Sequence, residues 1–119
     1  MLSWPFAGRV FLANAPTDLR KGYDGLSAIV QNEFSLDPMQ GGAYVFLNRK
    51  LTQVRILFWD RDGYCVLGKR LEQGTFRRVK RGDGSASVEI DAADLAMLFE
   101  GIDAKEIRRR RRYSPRKVA

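Results

Sequence analysis

The segment from Tyr44 to Arg70 constrains this chain more than any other. It holds three apolar runs of strand length, parted by two short polar connections. Tyr44-Val45-Phe46-Leu47 is the first run, and Asn48-Arg49-Lys50 suits a turn. Gln53 to Trp59 is the second. It is apolar on both faces except at Gln53 and Arg55, the pattern of a strand inside a sheet. Asp60-Arg61-Asp62-Gly63 makes a hairpin connection, with Gly63 expected to take a positive φ. Tyr64 to Arg70 returns as the third run. The three predict an antiparallel meander, and Thr75 to Val79 is expected to add a fourth strand.

The flanks supply the remaining elements. Arg9 to Ala13 reads as a short strand ended by Asn14-Ala15-Pro16, since proline removes a ladder donor. Thr17 or Asp18 can cap a following helix, whose apolar stripe is Tyr23, Leu26, Ile29, Val30 and Phe34. Gly22 and Gly25 weaken its first turns, so its start can fall after Thr17. Ser35 to Gly42 and Arg81 to Ser85 read as loops. Ser87 to Ile90 is a strand with Val88 and Ile90 on one side. Asp91 caps a second helix, with Asp94 in the first turn and Leu95, Leu98, Phe99 and Ile102 as its stripe. Gly101 ends it. The expected fold is α+β: a small antiparallel β-sheet of four to six short strands, with two helices covering one face. Residues 1–103 form a single domain in this reading, and residues 104–119 a basic, flexible tail.

Composition excludes several function classes. The 119 residues are 45% apolar, enough for a core. No apolar run approaches the roughly 18 residues of a membrane span. Met1 to Ala13 lacks a basic leading region and is interrupted by Arg9, which argues against a signal peptide. There is no histidine and a single cysteine, Cys65. That removes the usual general base near neutral pH, His-activated nucleophiles and Cys-cluster zinc sites. Cys65 reads as a packed strand residue. A cytoplasmic protein without metal or cofactor is the expectation.

Charge is segregated along the chain. Residues 1–103 hold 13 Lys+Arg and 13 Asp+Glu, while residues 104–119 hold 8 Lys+Arg and one acid, so the whole net charge of +7 lies in the last sixteen residues. A basic arm on an electrically balanced body points to a polyanion, most often nucleic acid. Lys105, Arg108, Arg109, Arg110, Arg111, Arg112, Arg116 and Lys117 are the expected phosphate contacts, with Tyr113 available to stack. The body adds Arg20, Lys21, Arg49, Lys50, Arg55, Lys69, Arg70, Arg77, Arg78, Lys80 and Arg81, which body acids can neutralise. Arg55 and Lys69, on strands with Trp59 and Leu67, are taken as helpers in DNA binding. Asp60 and Asp62 open like a calcium loop but lack the later ligands, so turn chemistry explains them better.

The residues then carry a resemblance. Pro16-Thr17-Asp18-Leu19-Arg20-Lys21-Gly22-Tyr23-Asp24-Gly25-Leu26 is similar to the signature of the accessory protein, often called TnpB, encoded by the second open reading frame of insertion-sequence-66 transposable elements. The blocks Val45 to Arg49, Ile56 to Asp60, Asp62 to Cys65, Lys69 to Glu72, Gly74 to Phe76, Leu95 to Leu98, and Glu100 to Asp103 continue it in order. Gly68 departs from it, standing where the family tends to a bulkier, often aromatic residue, and the arginine pentad is unusually basic. The resemblance implies a role in transposition beside a separate, larger transposase, and brings no catalytic residue with it. Asp18, Arg20, Lys21, Asp24, Trp59, Asp60 and Asp62 are candidates for a shared partner surface, in competition with purely structural roles.

The expected function is a non-enzymatic accessory factor that binds DNA and the transposase. The alternatives are a protein–protein adaptor without DNA binding, and a small metal-dependent nuclease using Asp60 and Asp62.

Overall fold

A computed structural model describes residues 4–77 and 84–100. Five strands and two α-helices follow one another: β1 (Val10–Ala13), α1 (Gly22–Asn32), β2 (Ala43–Leu47), β3 (Gln53–Asp60), β4 (Gly63–Arg70), β5 (Ser87–Ile90) and α2 (Ala92–Glu100). The sheet order is β4-β3-β2-β1-β5. The meander β2-β3-β4 forms as the sequence predicts. β1 lies parallel to β2 and antiparallel to β5, so the sheet is mostly antiparallel and the fold is α+β. A parallel pair needs a long crossover, and α1 with its flanking turns supplies it.

All five residues of β2 are buried, which requires cover on both faces of the sheet. Tyr44, Phe46 and Leu57 pack against Leu26 and Val30 of α1. Val45, Leu47, Val54, Ile56 and Phe58 pack on the other side with Leu95 and Leu98 of α2. The two helices therefore sit on opposite faces, not on one as expected. The physical reason is that β2 and β3 are apolar on both sides, and one face would be left wet if both helices shared the other. On the α2 side an N-terminal strap completes the cover. Phe6 meets Phe58 at 5.3 Å between ring centroids, and Trp4 meets Phe99 edge-on at 5.4 Å.

Local deviations have local causes. Asp18 caps a 3-10 turn, Leu19–Lys21, and Gly22 at φ 72°, the first residue of α1, breaks it. Gly25 must lack a side chain, because a Cβ there would fall 2.5 Å from Cβ of Lys21. Tyr23, expected on the buried stripe, is 54% exposed, since only Leu26, Ser27 and Val30 of α1 are buried. Phe34 leaves the helix and stacks on Phe46 instead. In the β3–β4 hairpin the positive φ falls on Arg61 at 54°, not on Gly63, which joins β4. The Asp62 N–H donates to the carbonyl of Asp60, closing a three-residue turn centred on Arg61. Residues 75–77 form no strand. Phe76 is a plug, 1% exposed, whose N–H donates to the carbonyl of Leu51 at 2.7 Å. Residues 78 and 79 lie outside the described residues, as do Gly101 and Ile102.

Candidate nucleic-acid interface

The connection between β2 and β3 presents two adjacent cations, Arg49 and Lys50, both exposed. Asn48 holds it. Its side-chain oxygen accepts from the N–H groups of Thr52 (2.9 Å) and Gln53 (3.0 Å), and its amide donates to the Thr52 hydroxyl (3.1 Å). Leu51 adopts φ 59°, donates its N–H to the Asn48 carbonyl and packs its side chain on the α2-side core. A backbone fixed on both sides in this way sets where the two side chains start.

Arg55 lies one strand residue pair further along, opposite Phe46 on one side and Gly68 on the other. A Cβ on Gly68 would sit 3.0 Å from a terminal guanidinium nitrogen of Arg55 and 3.2 Å from its Cδ. The missing side chain is therefore the berth in which Arg55 lies across β4. Its neighbour on the other side is the segment Pro16–Arg20, anchored where the Thr17 N–H donates to the Leu47 carbonyl at 2.9 Å. Between that segment and the β2–β3 turn runs an open groove of about 1090 Å³. Arg20, Arg49, Lys50 and Arg55 line it with one carboxylate, Asp18, a net charge of +3.

Asp18 is committed within the chain. It accepts from the backbone N–H of Arg20 at 3.0 Å and takes a two-pronged ion pair from the guanidinium at 2.9 and 2.8 Å. These hydrogen bonds hold its carboxyl far below the usual carboxylate range and raise Arg20 in return. Asp18 and Arg20 therefore stay ionised and paired with each other.

Lys69 is elsewhere. Side chains alternate along β4, so Lys69 shares the α2 face with Val54, its partner across the ladder, while Arg55 points to the α1 face. Its ammonium donates to the carbonyl of Phe99 at 2.7 Å and lies 5.2 Å from that ring centroid. The cation caps the C-terminal turn of α2, where a positive charge suits the helix dipole. Arg55 and Lys69, paired as helpers from the sequence, therefore lie on opposite faces of the sheet.

The other candidates are spread out. Trp59 packs edge-on against Tyr64 at 4.9 Å, and Asp60 and Asp62 bracket the hairpin tip. Six residues of extended strand, roughly 20 Å, separate this end of β3 from the end beside Asp18 and Arg20. Lys21 is exposed, and the Asp24 carbonyl accepts from the Ser27 hydroxyl inside α1. Lys105, Arg108 to Arg112, Arg116 and Lys117 lie outside the described residues. Among the described residues no three His, Cys, Asp or Glu side chains stand together as a metal-binding group, and no helix is long and apolar enough to cross a membrane.

Residues 8–109 match the profile of the family described as IS66 Orf2 like protein. The chain belongs to the IS66 Orf2-like family. It is 31% identical over 111 residues to the uncharacterized protein y4jC of Sinorhizobium fredii, covering 93% of each chain. It is 34% identical over 95 residues to the uncharacterized protein y4hO of the same organism, covering 80% of this chain and 81% of that one. No solved structure matches it. Membership associates this IS66 Orf2-like protein with transposition of insertion sequences. Much of its signature serves the fold: Asp18 caps, Gly22 breaks the 3-10 turn, Gly25 makes room for Lys21, and Leu26 enters the core. Arg49 and Lys50 were countable as cations in the sequence, but nothing there separated them from the rest of the body set. The available signal was Asn48, a residue suited to clamping a turn, directly before two cations.

Proposed function

We propose that this IS66 Orf2-like protein is a non-catalytic accessory factor of transposition that works in the cytoplasm, binds DNA through phosphate contacts and docks on the element's separate transposase. The observation that carries the reading is charge segregation. Residues 1–103 sum to zero, and residues 104–119 bring +7, on a body that family membership ties to transposition. Arginine forks pair with phosphate oxygens and release counterions, which gives affinity without base readout. In this reading residues 1–103 are one domain and the basic tail is its DNA arm. Asp60 and Asp62 serve the hairpin, so no nuclease chemistry is proposed for them.

The test is fluorescence anisotropy of the full chain on element-end and scrambled duplexes, beside a variant with Arg108 to Arg112 all changed to Gln. The expected result is salt-sensitive binding to both duplexes that the variant weakens strongly. Unchanged affinity and salt slope in the variant would refute the tail's role. Capture of the transposase that survives nuclease treatment tests the docking. If capture succeeds while the intact protein ignores DNA, the protein is an adaptor instead.

A further inference from the structure

The arginine tail is not the only cationic feature, and the second one is built into the folded body. We infer that the groove between Pro16–Arg20 and the β2–β3 turn seats the sugar–phosphate backbone of DNA, with Arg49, Lys50 and Arg55 as its phosphate contacts. The inference rests on the reading of the protein as a DNA-binding factor and adds where, on the body, the strand runs.

Four observations support it. First, the cations converge. A body with no net charge nonetheless gathers four basic side chains and one carboxylate on a single groove. Second, that carboxylate is spent on Arg20, while the ion pairs formed among the described residues at Arg9, Arg20 and Arg70 leave out Arg49, Lys50 and Arg55. Third, the backbone places the cations: the Asn48 clamp fixes the turn carrying Arg49 and Lys50, and the bare backbone of Gly68 lets Arg55 lie across β4. Fourth, the lining between the charges is polar. Thr17, Asn48, Thr52 and Gln53 offer the hydroxyl and amide groups that commonly contact phosphate and sugar. The groove has no aromatic lining and only Pro16 and Leu19 as apolar lining, so charge and hydrogen bonding dominate what it offers. Polyanion backbone fits the lining better than an acidic protein does.

The experiment uses the full chain with its tail intact. The variant R49Q/K50Q/R55Q is compared with R9Q/R61Q/R70Q, which removes the same charge outside the groove. Both are titrated with a labelled duplex between about 50 and 200 mM salt. Each lost phosphate contact flattens the plot of log affinity against log salt by about 0.9, so the groove variant should lose about 2 to 3 in slope and on the order of tenfold or more in affinity. The control should stay near wild type. Matching melting temperatures establish that both variants fold. As an independent readout on the wild-type protein, duplex DNA should shield Lys50 from amine acylation while Lys21 stays reactive.

The outcomes separate cleanly. Equal losses in both variants would mean diffuse attraction to net charge and would overturn the groove. Unchanged binding in the groove variant, or a Lys50 that DNA does not shield, would overturn it too, while DNA binding through the tail would stand. Loss of transposase capture without loss of DNA affinity would give the groove to a protein partner and equally refute the inference. If the wild-type protein fails to bind DNA at the lowest salt, the underlying reading fails with it.

Discussion

Replacing Lys69 by methionine keeps the aliphatic stem and removes the ammonium, so it isolates what the charge does. In the folded protein that ammonium donates at 2.7 Å to the last-turn carbonyl of Phe99 and rests 5.2 Å from the Phe99 ring centroid. A hydrogen bond involving a charged group contributes about 1.5–3 kcal/mol, a cation at a helix C-terminus about 0.3–1, and an exposed cation–π contact about 0.5–1. The three describe one ammonium and do not add. The lower part of the hydrogen-bond range, about 1.5–2 kcal/mol, is appropriate because the site is only half-buried and water can reach the freed carbonyl. For a chain of this size each kcal/mol is about 4 °C, so Lys69→Met should melt about 6–8 °C lower by differential scanning calorimetry. Because Lys69 faces α2 and not the groove, DNA affinity and its salt slope should be unchanged at temperatures where the variant is folded. A variant that melts within a degree of wild type but loses about one unit of salt slope would refute this assignment and return Lys69 to DNA.

Four further expectations follow from the same geometry. Gly25→Ala should destabilise despite the helix propensity of alanine, worth about 1 kcal/mol in its favour, because the new Cβ would stand 2.5 Å from Cβ of Lys21; a higher melting temperature would refute the close approach. Phe76→Ala empties a plug that is 1% exposed and should cost about 3–5 kcal/mol in denaturant unfolding, whereas a cost under 1 kcal/mol would place Phe76 outside the core. Arg61→Gly relieves a positive φ of 54° on a side chain and should raise stability by about 0.5–1 kcal/mol. Asp18 and Glu89 are held below their ordinary range by the hydrogen bonds of Arg20 and Arg9, so their contribution to stability is present above the usual carboxylate pKa and fades as pH falls through the lowered values.

The local pattern was legible because it is short-range. The apolar runs of β2, β3 and β4, the cap at Asp91 and the strand of Val88 and Ile90 all depend on neighbours within a few residues. The placement of the helices was not. It depends on β1 inserting between β2 and β5, a pairing across some thirty to eighty residues that no local period encodes. The clue was present in Gln53 to Trp59, apolar on both faces, since a strand covered on both sides asks for a helix on each. Phe76 was misplaced for a related reason: an apolar residue between polar neighbours looks like a strand, and only the Leu51 carbonyl shows it to be a plug. At the site, Arg55 could be picked from the sequence, but its companions could not. Arg49 and Lys50 join it because β3 turns back antiparallel to β2, and Lys69 leaves it because one residue of register puts a side chain on the other face.

The central claim is that this protein holds DNA by its phosphates, and the salt dependence of the wild-type chain tests it most directly. Affinity for element-end and scrambled duplexes should fall together as salt rises, with a log–log slope steeper than about −4, since each phosphate contact contributes about −0.9. No binding at about 50 mM salt, or a slope near zero, would contradict the claim.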